Sequence, residues 1–411
     1  MIKYSELTKA DKTRMLSSKI EPKYEDISQA LDSFCEKFDE RNVIFEGVKK
    51  RLENLGGQYD DSDVGSILKE LNERYKSMGI ENGVPRTVKN WVSKGKTPND
   101  APAYRENLYE LCMALQMSLE DTEEFFVKHY MTIPFIYKNR VDASYYYGLK
   151  NGKTYLEIKR ILNMADDNSE VRDETDESTD RVIMDIDTIK DDDLFIEYLR
   201  NHTFSKEKQF QTVRTKIDDL EKKIIDIVER FEKKEKKSEY RDDYSKGYHS
   251  IRNADGTINH KKLVFYLTGQ NFQALDENGK RENVIAKSEK LPKMFRENFP
   301  IDQVFTMIHK GTASADQYRK ALILLKFYEY FETKKSDSGL TLNEYLERSQ
   351  EKCNEDIDDF EIETNKRLVI CGMSPLYIRN PFDCLILYCA HCSDPIYYFS
   401  IMIEIALPEK E

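Results

Sequence analysis

Cysteine and histidine side chains lie close together in the sequence near residue 390, at the spacing Cys384-x4-Cys389-x2-Cys392 with His391 inside the group. Thiolates at this spacing match part of the plant-type iron–sulfur pattern, and Cys371 could supply a fourth ligand. The surrounding run, PFDCLILYCA, is apolar and starts like a helix, whereas metal-binding loops are usually irregular and rich in glycine. A buried thiol in such a run behaves as a small hydrophobic side chain. The pattern therefore favours core packing over a metal centre.

Catalytic residue types are sparse in the rest of the chain. The six histidines form no HExxH or similar pattern, and the sequence contains no phosphate-binding loop and no GxSxG nucleophile elbow. Carboxylate runs such as Asp191–Asp193 are typical of a solvated surface. The sequence thus predicts a protein that is not an enzyme and that holds no cofactor and no metal.

The clearest candidate site is the basic segment from Val84 to Pro98. From Arg86 to Lys96 it carries four positive charges and no acid, in a chain whose formal net charge is −12. The spacing of Val88, Trp91 and Val92 would turn one side of a short helix towards a core. Arginine and asparagine on the outer side could read base edges in the major groove, and lysine and threonine could contact phosphates. The candidate DNA-binding residues are Arg86, Thr87, Lys89, Asn90, Lys94 and Lys96.

The order of residues around this segment resembles the phage-repressor, or Cro-type (XRE-like), helix-turn-helix family over about residues 63–126. Gly83-Val84, Thr87-Val88 and Trp91 match the family's recognition helix, and the run Gly95–Pro98 matches the turn after it. The family's next helix corresponds to Leu108, Leu111, Ala114 and Leu115, and the run Met117–Asp121 follows. The resemblance implies that an amphipathic helix and a turn present the second helix to duplex DNA. Within the last run, Ser118 and Asp121 are also spaced as a capping box.

Composition places these motifs on helices. Glycine (16 residues) and proline (11) are scarce, although strands joined by tight turns need both. Hydrophobic residues make up 39% and charged residues 34% of the chain, which favours solvated helices. A polar N-terminus and the lack of an apolar run of about 18 residues predict a cytoplasmic protein with no membrane partner. The negative net charge excludes a protein that coats nucleic acid over its whole surface, so any DNA site must be a local patch.

The longest predicted helix covers about residues 203–239 and carries a strict heptad seam. Its apolar residues are spaced three and four apart, and they are Phe210, Val213, Ile217, Leu220, Ile224, Ile227 and Phe231. This narrow stripe is typical of a coiled coil, which would make these residues a dimerisation surface. The alternative, which we favour slightly, is that the seam packs against another part of the same chain.

The sequence predicts a mostly α, multi-domain protein with a Cro-like helix-turn-helix element and a long heptad helix. An N-terminal helical domain (1–165) is followed by an acidic linker (166–193), the heptad helix (194–240) and a C-terminal helical domain (241–411) that opens with a polar segment (241–290). In the linker, thirteen acids face three bases, which is typical of a mobile segment. Its run RVIMDIDTI suggests a short strand or an extended docking segment.

Together these features predict a DNA-binding regulator of transcription, of the kind found in bacteria and their mobile elements. The C-terminal domain would recruit or sense a protein partner. The alternative is a non-enzymatic protein-interaction subunit of a bacterial host–phage conflict system, either defence or anti-defence, in which a degenerate helix-turn-helix serves as a docking fold.

Overall fold

The computed structural model is mostly helical, as the sequence predicts. It describes residues 31–32, 43–60, 63–94, 102–130, 132–166, 179–235, 251–275, 281–339 and 342–408. The described residues form two compact units: the first contains those within 43–212 and 365–379, and the second contains 31–32 and those within 213–364 and 380–408. In the described part of the chain, no helix is both long enough and apolar enough to cross a membrane.

The first unit is a bundle of helices around one hydrophobic core. Its helices are α1 (Val43–Asn54), α2 (Val64–Ser77), α3 (Arg86–Lys94), α4 (Pro102–Ala114), α5 (Leu119–Phe125, continued by a π-helical turn, Phe126–Tyr130), α6 (Arg140–Lys150), α7 (Tyr155–Asp166), α8 (Thr179–Thr188) and α9 (Asp192–His202). Helix α3 packs against α1, α2 and α4, so three helices fix the position of the basic segment.

The acidic segment differs from the linker that its composition suggests. Residues 167–178 lie outside the described part, but the second half forms helix α8 where we expected a strand or extended segment. Val182 and Ile186 are four residues apart, which places them on one helix face, and both are buried in the core of the first unit. Tyrosine hydroxyls hold the nearby acids, because Tyr146 Oη donates to Asp187 at 2.7 Å and Tyr147 Oη donates to Asp192 at 2.9 Å. In this segment, the burial of apolar side chains therefore outweighs the high density of acidic residues.

The predicted heptad helix corresponds to α10 (Lys206–Glu235), and its seam is covered within the chain. Phe210 is half-buried, while the side chain of Phe231 and residues 236–240 lie outside the described part. The other five seam residues are buried, namely Val213, Ile217, Leu220, Ile224 and Ile227. Ile225 and Val228 are buried as well, so the apolar face is wider than a two-in-seven stripe. This burial supports the internal-packing interpretation of the seam over dimerisation.

The second unit combines the later part of α10 with shorter helices and one small sheet. Its other elements are α11 (His260–Thr268), the antiparallel strands β1 (Gln273–Leu275) and β2 (Arg281–Asn283), a 3₁₀ turn (Ile285–Lys287), α12 (Lys293–Arg296), α13 (Asp302–Lys310), α14 (Ala315–Asp337), α15 (Leu342–Ile370, whose last residues belong to the first unit), α16 (Pro381–Ala390) and α17 (Pro395–Ala406). Helix α14 is buried along most of its length and begins with a capping box between Ser314 and Gln317. It is the central helix against which α13, α16 and α17 pack.

Candidate functional site

The basic segment forms helix α3, and its apolar side anchors it in the core. Val88, Trp91 and Val92 are buried with the core residues of α2 and α4. Trp91 and Val92 follow Val88 by three and four positions, which places all three on one side of a nine-residue helix. Pro85 lies just before the first helical residue and its carbonyl accepts a hydrogen bond from the Lys89 N–H at 3.0 Å. The burial of Trp91 agrees with the sequence-based prediction.

The connection between α2 and α3 is held by one side chain and two glycines. Asn72 Oδ1 on α2 accepts a hydrogen bond from the Val84 N–H at 3.2 Å, just before α3. Gly83 has a φ of +65°, and a Cβ atom there would lie 1.9 Å from Asn72 Oδ1. Gly79 also has a positive φ, of +94°. Both glycines therefore meet conformational needs that a larger residue would meet only with strain.

The outer side of α3 is positively charged and accessible. Arg86, Lys89 and Lys94 are exposed, whereas Thr87 and Asn90 are half-buried between them. Within the described part of the chain, none of the three cations takes part in an ion pair. Lys96, the sixth candidate DNA-binding residue, lies outside the described residues. The five described candidates therefore share one helix whose cations point away from the core.

The elements after α3 also follow the predicted order. Leu108, Leu111, Ala114 and Leu115 are buried along and just after α4. Ser118 and Asp121 form the predicted capping box, in which each side chain accepts from the other residue's backbone N–H. Arg51 of α1 ties this corner to the rest of the unit, because its guanidinium contacts the carbonyls of Leu115 and Gln116 and the Asp121 carboxylate.

The cysteine group of the second unit lies on an apolar helix. Cys384 and Cys389 are buried on α16, and Cys389 Sγ lies 3.8 Å from Met402 Sδ of α17. Cys392 is half-buried after the helix end, and Cys371 belongs to the first unit. Burial raises the pKa of the Cys389 thiol well above its usual range, which favours the neutral form. The environment is that of core thiols.

Three side chains that the sequence analysis did not connect converge in the second unit. Glu221 of α10, His260 of α11 and His309 of α13 place one ligand atom each within 4.8 Å of one another, and they are the one such group in the described part of the chain. His309 Nε2 lies 3.0 Å from Glu221 Oε2, and the rings of His260 and His309 stack with centroids 4.8 Å apart. Glu221 is buried, while both histidines are half-buried.

The surroundings of this histidine cluster shift the pKa values of the two imidazoles in opposite directions. The hydrogen bond to Glu221 raises the pKa of His309 above its ordinary value of 6.5. Burial lowers the pKa of His260 below the same value, although Glu221 acts in the opposite direction. A single proton therefore binds His309 in preference to His260, which keeps a lone pair on the His260 ring available at neutral pH.

Sequence reasoning misses this cluster because its members carry no local signature. His260 is the first residue of a helix, His309 lies in the last turn of another, and 88 positions separate Glu221 from His309. One weak signal was present: Glu221 follows the seam residue Leu220 on the same side of α10, so an acid sits beside an apolar stripe. The partners of that acid are decided by tertiary packing.

Comparisons of the whole chain with protein-family models, with curated proteins and with solved structures find no match. The assignment of function therefore depends on the chemistry of the two candidate sites.

Proposed function

We propose that the first unit binds duplex DNA through the outer side of α3, with α2, the turn and α3 acting as a Cro-type helix-turn-helix. One observation carries this proposal: the apolar side of α3 is buried in the core while Arg86, Lys89 and Lys94 stay exposed and make no ion pair within the described part of the chain. Cations held this way on a rigid helix are available to phosphates and base edges.

Different residues of α3 are expected to contact different parts of the DNA. An α-helix fits the major groove, where an arginine can pair with guanine and an asparagine with adenine. Arg86 and Asn90 are four positions apart and so lie on the same side of the helix, which assigns them to base edges. Lys94, at the last helical position, is assigned to a phosphate. In this proposal the second unit, as a separate domain, recruits or senses a partner and the protein acts as a regulator.

The charge balance sets the expected behaviour. Each phosphate neutralised by a cation releases counterions, so the observed affinity falls steeply with salt. One helix offers few cations and the whole chain carries −12. Non-specific binding is therefore weak, and the affinity that remains is selective for sequence.

The test is a selection from a pool of random duplexes with the full-length protein, at low and at physiological salt, followed by titration of the enriched sequence. Lys94→Glu should weaken binding to all duplexes alike, by roughly tenfold or more, since it replaces a phosphate contact with repulsion. Arg86→Ala and Asn90→Ala should instead reduce the preference for the enriched sequence, at about 1–3 kcal/mol per base contact.

Lys366→Glu is the matched control, because it makes the same charge change at an exposed lysine of another helix, α15. This control should bind like the wild type. If no sequence is enriched and no complex forms at low salt, DNA binding is rejected. A native pull-down would then test the protein-interaction alternative, in which the same helix docks onto a protein.

A further inference from the structure

We propose that Glu221, His260 and His309 form a binding site for a divalent transition-metal ion, best suited to Zn²⁺, in the second unit. The inference is independent of DNA binding by the first unit. It also revises the prediction from sequence that the chain holds no metal.

The donor set selects the class of ion. Two imidazole nitrogens and one carboxylate oxygen suit zinc and its neighbours in the first transition row, whereas Mg²⁺ and Ca²⁺ prefer sites built from oxygen alone. The side chains of all three residues can bind zinc in their deprotonated forms. The described thiols of the second unit, Cys384, Cys389 and Cys392, are not part of the group.

The ligand atoms are already close to the spacing of a metal site, and the main change that binding requires is a turn of the His260 ring. Ligands about 2.0–2.1 Å from a tetrahedral ion lie roughly 3.4 Å from one another. His309 Nε2 and Glu221 Oε2 are already 3.0 Å apart, and no pair in the cluster is separated by more than 4.8 Å. Because an ion must lie near the plane of each imidazole that binds it, the His260 ring must also turn out of its stacked arrangement with His309, in which the two ring planes are 10° apart. In the bound form the ion replaces the proton that His309 shares with Glu221.

The ligands are held by a second layer of contacts. The Glu221 side chain is 1% exposed, and buried carboxylates of this kind require a cationic partner. The His260 ring stacks against two rings of α13, Phe305 at a centroid distance of 5.9 Å and His309 at 4.8 Å. On the far side of His309, Asp218 Oδ1 lies 3.6 Å from Nδ1. An outer carboxylate on the second nitrogen of a histidine is the usual way of orienting a zinc ligand.

The Asp218 oxygen gives an independent indication. The Asp218 side chain is 39% exposed, but its Oδ1 atom is shielded from solvent and, in the described part of the chain, accepts no hydrogen bond. A small rotation of the His309 ring towards a bound ion would bring its Nδ1–H within hydrogen-bonding distance of that oxygen. Metal binding would thus give this shielded oxygen atom a hydrogen-bond donor. The His309 side chain is 30% exposed, which leaves the fourth position of the ion open to water.

The experiment is a calorimetric titration of chelator-treated full-length protein with Zn²⁺, with Co²⁺ as a spectroscopic probe. We expect one ion per chain, and visible absorption by bound Co²⁺ typical of a tetrahedral site with nitrogen and oxygen ligands. His260→Ala and Glu221→Gln should each weaken Zn²⁺ binding by at least 100-fold. Asp218→Asn should weaken it by about 10–100-fold, since it acts through the orientation of His309. Mg²⁺ should give no saturable binding.

The matched control is His202→Ala, which removes a half-buried histidine of the first unit. It should keep the affinity of the wild type. Thermal unfolding with and without Zn²⁺ shows whether each variant folds, and the folded wild type and control should gain the most stability from the ion. The proposal is overturned if the wild type binds no Zn²⁺, if Glu221→Gln binds it as tightly as the wild type, or if His202→Ala loses binding as His260→Ala does.

Discussion

The two candidate sites are built in opposite ways. In the first unit, the proposed DNA-binding residues that the structure describes lie within one nine-residue helix, so their spacing on the chain fixes their geometry. In the second unit, Glu221, His260 and His309 lie on three helices and come together only when those helices pack. A candidate site made of neighbouring residues can therefore be recognised in the sequence, whereas a site assembled from distant segments cannot.

The cores of the two units, in contrast, use the same device. In the first, Arg105 and Asp142 form a buried bidentate ion pair, and Asp142 also accepts from the Ile136 N–H at 2.8 Å. In the second, Arg319 pairs with Asp383 through two hydrogen bonds of 2.9 and 2.6 Å. In each pair both side chains are at most 3% exposed. Removing one partner leaves an uncompensated buried charge.

The largest expected effect is a loss of stability that is confined to one unit. Asp142→Ala should destabilise the first unit by about 3–5 kcal/mol, and Asp383→Ala should destabilise the second by a similar amount. Hydrogen exchange measured by mass spectrometry, peptide by peptide, would show which unit loses protection. Equal loss of protection in both units with either variant would mean that they unfold as one body, and that the division between them has no energetic meaning.

A second, somewhat smaller effect is a pH-dependent change in the stability of the first unit. Burial raises the pKa of Glu110 from 4.5 to about 7, although Tyr155 Oη donates a hydrogen bond to it at 3.1 Å. Since the folded-state pKa is raised, ionisation opposes folding: the cost is absent below pH 4.5, grows as the pH rises and is complete above about 7. Glu110→Gln should therefore stabilise the protein at pH 8 by up to about 3 kcal/mol and change little at pH 4.

Chemical denaturation at the two pH values measures this difference. Glu73→Gln, at an exposed carboxylate of α2, is the control and should be neutral at both. A gain in stability that is the same at pH 4 and pH 8 would show that the amide packs better for reasons unrelated to ionisation.

The smallest effect concerns the turn that presents α3. Asn72→Ala removes the acceptor of the Val84 N–H and should cost about 1 kcal/mol. Gly83→Ala should cost more in the wild type than in the Asn72→Ala background, because the new methyl group would collide with Asn72 Oδ1. A double-mutant cycle by denaturation measures this coupling. Strict additivity would show that Asn72 does not hold the turn, and neither variant should alter Zn²⁺ binding.

The degree to which sequence reasoning succeeded follows the range of the interactions involved. The helix at α3, the burial of Trp91 and the capping box at Ser118 depend on neighbours within a turn or two, and the structure has all three. The acidic segment was expected to be a linker because charge density was weighed without knowing what covers Val182 and Ile186. Two apolar residues at helical spacing are enough to form helix α8 when both can pack into the core of the first unit.

The sequence by itself determined the helical class, the position of the basic helix and the apolar seam of α10, because each depends on periodicity along one segment. Tertiary structure alone decided what the seam faces, since the spacing of Ile217 and Ile224 is compatible with a second copy as well as with their own core. It alone also decided that the acid beside that seam would meet His260 and His309. Distances between remote side chains are set by how whole helices pack, and this packing depends on the complete set of buried surfaces, which no local pattern contains.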